Sequence, residues 1–113
     1  MRYLLLLHVD EGGWARLTPA EQAEGMATYA RYNEALGAAG ALVSAGRLAP
    51  SAGALAIRTI GGRLVTMDGP FAETKEQIGG YYLIEAADLE TALDWARRCP
   101  AAGHGTVEVR QLI

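Results

Sequence analysis

Four leucines in succession, Leu4 to Leu7, set the first constraint on this chain. The apolar run Arg2–Val9 is short and is halted by Asp10-Glu-Gly-Gly13, so it reads as a strand rather than a helix. Side chains alternate between the two faces of a strand, so Leu4 and Leu6 point one way and Leu5 and Leu7 the other. A strand apolar on both sides belongs inside a sheet that is covered on both faces. The run Ile78–Glu85 repeats the pattern, with apolar side chains on both parities from Tyr81 to Ile84. Any fold for this sequence must place two such strands and cover both sides of their sheet.

The remaining elements fall around these two. Thr18-Pro19-Ala20-Glu21 is a helix start: Thr18 can cap, Pro19 loses no needed hydrogen bond in the first turn, and Glu21 completes a capping box. The helix runs to about Ala39, with Met26, Tyr29, Asn33 and Leu36 as its spaced stripe and Gly40 as its terminator. Ala41–Leu48 reads as a second strand stopped by Pro50. Ala54–Ile60 and Arg63–Met67 flank Gly61-Gly62, a pair that permits the positive φ angles of a two-residue hairpin turn. A loop opens at Asp68 and continues to about Gln77. Asp88 caps a second helix from Leu89 to about Cys99, with Leu89, Ala92, Leu93 and Ala96 in line, Trp95 as packing, and Pro100 beyond its end. Thr106–Ile113 alternates as a last strand.

The order β, α, β, hairpin, β, α, β is an α+β plan: the ferredoxin-like βαββαβ arrangement with an inserted β-hairpin. Its first and third core strands lie at the centre of the sheet, and these are the two strands that are apolar on both sides. Two helices cover one face. A second copy of the chain is the expected cover for the other, so the partner is a homodimer mate.

Composition narrows the function. A chain of 113 residues supports one core, and a net charge of −3 with a single lysine, Lys75, argues against a nucleic-acid partner. Cys99 stands alone, so no internal disulfide forms. No apolar run approaches the roughly 20 residues of a membrane span, and Tyr3–Val9 is too short for a signal peptide. A soluble, cytoplasmic protein without a membrane partner is expected. No cofactor or metal is expected either. Gly12-Gly13 and Gly79-Gly80 lack the strand–glycine–helix setting of a phosphate loop. His8 with Asp10 and Asp68 could hold a divalent ion, but nothing in the spacing demands it.

The densest chemistry lies in Asp68-Gly-Pro-Phe-Ala-Glu-Thr-Lys-Glu76, with three carboxylates, a hydroxyl and the only lysine. Gly69-Pro70 sets a sharp turn that leaves Asp68 at a strand end and Glu73 and Lys75 on a loop. Either these groups face a ligand, or they are a solvated connection in which Asp68 shapes the turn. His8, on the parity of Leu4 and Leu6, ends the first strand and could move a proton near neutral pH. The alternative is a strand-end histidine satisfied by backbone. Tyr81 and Tyr82 occupy opposite faces; one belongs to the core and the other can line a cavity, with Tyr81 the candidate. His104, among small residues, reads as a surface histidine.

The nine residues Asp68–Glu76 resemble the signature of the YCII-related family in its DGPF-domain branch. The likeness extends through Met1–Val9, Gly79–Ile84, Ala96-Arg-Arg-Cys-Pro100 and Val107-Glu-Val-Arg110. This resemblance implies a dimeric α/β barrel of ferredoxin-like protomers. The wider superfamily is similar to muconolactone isomerases, and a member of another branch is a dehydrochlorinase of chlorinated hydroxyquinones. That branch carries a histidine on its first helix as the acid/base candidate; the corresponding position here is Tyr29, so that chemistry does not carry over directly. Members of the DGPF branch often sit beside extracytoplasmic-function sigma factors. Two functions follow. One is a small lyase- or isomerase-like enzyme acting on a cyclic or aromatic organic acid. His8 or Asp68 would be its base, Lys75 or a tyrosine hydroxyl would stabilise an enolate, and Glu73, Tyr81 and Tyr29 would contact the ligand. The other is a non-catalytic ligand-binding or regulatory dimer acting with a sigma factor. A third possibility is a signature loop that is scaffold alone.

Overall fold

The computed structural model describes residues 1–70 and 75–113, so Glu73 lies outside the described residues. In chain order the elements are β1 (Arg2–Val9), α1 (Glu11–Ala15), α2 (Pro19–Ala38), β2 (Leu42–Arg47), β3 (Leu55–Ile60), β4 (Arg63–Asp68), β5 (Gln77–Glu85), α3 (Leu89–Arg98) and β6 (Thr106–Gln111). Four strands form one antiparallel sheet in the order β2-β5-β1-β6, and β3 and β4 pair separately as a hairpin. This is the ferredoxin-like α+β plan, and β1 and β5 hold the centre of its sheet.

The alternation read from the leucines is realised. Tyr3, Leu5 and Leu7 of β1 and Tyr82 and Ile84 of β5 are buried against Tyr32 and Leu36 of α2 and Ala92, Trp95 and Ala96 of α3. Leu4, Leu6, Tyr81 and Leu83 point to the other face, where neither helix lies, and are only half-buried. The shortest dimension of the molecule is 18 Å, room for one layer of sheet and one of helix.

Local chemistry sets the helix ends. Thr18 Oγ1 accepts from the Glu21 backbone at 3.1 Å while Glu21 Oε1 accepts from the Thr18 backbone at 2.9 Å, a reciprocal capping box. The backbone N–H of Thr18, and then its hydroxyl, hold the Glu21 carboxyl below its ordinary range. Gly40, at φ 67, ends α2 in the left-handed conformation that suits glycine. Thr18→Ala should cost about 1 kcal/mol, because it leaves a helix donor without its acceptor. Glu21→Ala should cost less. Urea melts of the two variants check this, and equal losses would contradict it.

Two readings are corrected and one helix is added. Asp10-Glu-Gly-Gly13 does end β1 at Val9, but it also opens α1: the Asp10 side chain accepts from Gly12 N at 3.1 Å, and that cap offsets the poor helix propensity of two glycines. The buried stripe of α2 is Tyr32 and Leu36, whereas Met26 is exposed, because the sheet meets only the C-terminal half of that helix. Leu89 is exposed in the first turn of α3, and Trp95 takes the buried place instead.

Candidate active site

The helix-free face of the sheet gathers the polar chemistry. A shift in the β1–β5 register falls between Leu7 and His8, so Leu7 pairs with Gly80 while His8 pairs with Ile78. A bulge of this kind re-aims the side chains beside it. On its other side His8 pairs with Thr106, and Leu6 pairs with Glu108. That register brings the His8 Nε2 atom to 2.9 Å from Glu108 Oε1. Glu108 Oε2 lies 3.5 Å from Arg110 Nη1. The hydrogen bond from His8, and then Arg110, holds the Glu108 carboxyl below its ordinary range. Thr106 Oγ1 donates to Glu76 Oε1 at 3.0 Å. His8, Glu76, Thr106 and Glu108 line an open hollow of about 480 Å³ at this end of the sheet.

Two glycines permit the arrangement. A Cβ on Gly105 would stand 2.2 Å from the His8 carbonyl oxygen, so only glycine lets β6 approach β1 beside the histidine. A Cβ on Gly46 would stand 2.8 Å from the Tyr81 ring. With glycine there, the ring lies over β2 and its hydroxyl shares a 3.1 Å hydrogen bond with Ser44 Oγ.

The expected residues separate into groups. His8 and Tyr81 share the open face. Lys75 is exposed, adjoins Glu76 in sequence, and contributes weakly to holding Asp10 ionised; the larger cause there is the Arg16 guanidinium, 2.6 Å away. Asp68 stands exposed at the end of β4 opposite Leu55, followed by a cis Gly69–Pro70 peptide. Tyr29 lies with the helix-side core, where burial and the Cys99 thiol push its phenol up to about 12. It is therefore not brought to His8. Cys99 is buried in the same core, and burial raises its thiol.

Glu108 is the group that the sequence did not single out. In Thr106-Val-Glu-Val-Arg110 it reads as an ordinary solvent-side residue of an alternating strand. Only the pairing of β6 with β1 gives it a histidine. Among the described residues no three His, Cys, Asp or Glu side chains are grouped to hold a metal ion, and no helix is long and apolar enough to cross a membrane.

Comparison with known proteins gives this architecture relatives. The YCII-related domain family matches residues 1–113. The uncharacterized protein R00369 of Rhizobium meliloti (strain 1021) is 39% identical over 114 residues, covering 99% of this chain and 92% of the relative. A solved structure of 5-chloro-2-hydroxyhydroquinone dehydrochlorinase (TftG) from Burkholderia phenoliruptrix AC1100, in complex with 2,5-dihydroxybenzoquinone, is similar with a TM-score of 0.58. It is 16% identical, and the match covers 100% of this chain and 94% of that one. At that identity the likeness is one of fold.

Proposed function

We propose that this chain, which belongs to the YCII-related domain family, is a small homodimeric enzyme that moves a proton on a cyclic or aromatic organic acid. The run Asp68–Glu76, which resembles the DGPF signature, supports placing it in that branch of the family. The observation that carries the reading is the His8–Glu108 pair, 2.9 Å apart in a hollow on the face that the helices leave open. A carboxylate held ionised beside one ring nitrogen fixes the orientation of the imidazole, as a base and its orienting group require. Nδ1 is then the atom that exchanges a proton with a bound molecule. The Tyr81 ring, on the same face, bounds the ligand's space on the β2 side, with its hydroxyl held by Ser44. Lys75 attracts the acid, and Asp68 shapes the loop. The named activity of TftG supports the choice of a ring substrate, since the same fold there acts on a hydroxylated six-membered ring.

A second copy closes the open face in this reading. Central strands with apolar side chains on both sides support it. Solvent-deuterium exchange into a panel of cyclic and aromatic acids tests the chemistry. The wild-type protein should exchange an acidic C–H of at least one acid, and His8→Gln should lower that rate by about a hundredfold or more. Equal rates in the two proteins would refute His8 as the base. Binding without exchange would return the chain to the ligand-binding reading.

A further inference from the structure

The β3–β4 hairpin is an arm. Among the described residues its strands pair only with each other, and the radius of gyration is 16.1 Å where a compact domain of this length has about 13 Å. One face of the arm carries Leu55, Ile57 and Leu64, exposed at 68%, 70% and 78%. A two-stranded hairpin is marginal in water by itself, and an apolar row of this kind marks a contact surface.

We propose that this arm lies on a second copy of the chain and roofs the partner's His8–Glu108 hollow. The inference rests on the homodimer proposed above. Size supports it. Four strands of about seven residues present roughly 450 Å² of open face, at about 4.8 Å between strands and 3.3 Å per residue. A stable interface needs about 800 Å² from each partner. The sheet face falls well short of that by itself, and the arm, two strands of six residues, adds roughly 200 Å² by the same spacings and closes more than half of the gap. Position supports it as well: the hollow sits at one end of the sheet, so apposition through Leu4, Leu6 and Leu83 at its centre leaves that end open. The docking face is apolar rather than basic: beside Leu55, Ile57 and Leu64 it carries Thr59, Thr66 and, at its end, Asp68, while Arg58 and Arg63 lie on the opposite face of the arm. A roof of this chemistry excludes water and makes each site a product of two chains.

Sedimentation of the wild type and of an Ile57→Asp/Leu64→Asp variant tests the arm, with circular dichroism as a check that the variant folds. The variant should raise the dimer dissociation constant about 30-fold or more. A second measurement asks whether the arm reaches across. A nitroxide on Arg63→Cys, in a copy without isotope label, is mixed with an isotope-labelled wild-type copy; Cys99 is buried, so labelling is selective. Broadening of the labelled copy's His8 ring signals supports the roof. A dimer indifferent to the aspartates, or His8 signals left sharp, would overturn the arm inference and leave the dimer standing. A wild-type monomer would overturn both.

Discussion

Gly105→Ala should cost about 3 kcal/mol and separate His8 from Glu108, whereas Gly103→Ala, two residues earlier, should change stability by about 0.5 kcal/mol or less. The difference lies in what each new methyl group meets. At Gly103 nothing stands within 4 Å. At Gly105 the methyl would sit 2.2 Å from the His8 carbonyl oxygen and 3.3 Å from Val9 Cγ1. Backbone cannot rotate aside as a side-chain tip can, so β6 must move away from β1. The start of β6 is also tied back by Gly105 N donating to Ala101 O at 2.7 Å, so the movement is opposed from the other side. The displaced residues include Thr106, opposite His8, and through the strand Glu108. Urea melts of the two variants measure the stability term. NMR of the His8 ring reads the site: its signals should shift in Gly105→Ala and stay in place in Gly103→Ala. If both variants melt together with unchanged ring signals, the close approach of the two strands is not what builds the site.

The same pair of strands explains how far the sequence could be read. The fold was legible because it rests on local signals. Leucines on both parities identified the central strands, Thr18 and Glu21 marked a helix start, and Gly61-Gly62, with φ of 57 and 78, made the hairpin turn. These are decided within a few residues, and tertiary contacts reinforced them. The errors came where tertiary contact decides. Met26 and Tyr32 both have helical spacing consistent with a buried face, and only the position of the sheet selects Tyr32. The site was half-legible for the same reason. His8 announces itself as a titratable residue on an otherwise leucine-rich strand. Its partner lies 100 residues away, and no spacing rule links the two. The register shift after Leu7 adds a further step that alternation alone does not give.

Replacing Tyr32 with alanine should lower stability by about 4 kcal/mol, the largest loss expected from a single side chain here, and Tyr32→Phe by about 1 kcal/mol. Tyr32 is 5% exposed and is the aromatic hinge between the two helices and the sheet. Its ring meets Tyr82 of β5 edge-on at 5.2 Å and Trp95 of α3 at 6.1 Å. Such pairs contribute about 0.5–1.5 kcal/mol each beyond the area they bury. Alanine removes both contacts and leaves a cavity where α2, α3 and β5 converge. The hydroxyl matters less. It donates to the Trp95 carbonyl at 2.7 Å, but that oxygen also accepts from Cys99 N at 3.1 Å, so phenylalanine leaves no buried acceptor without a partner. Burial already holds the phenol far above its ordinary range, so it stays neutral across the working pH range and offers no charge to lose. Thermal melts should place Tyr32→Ala on the order of 15 °C or more below the wild type, with Tyr32→Phe within about 8 °C of it. A phenylalanine variant as unstable as the alanine variant would mean that the hydrogen bond to α3, rather than ring packing, joins the helices to the sheet.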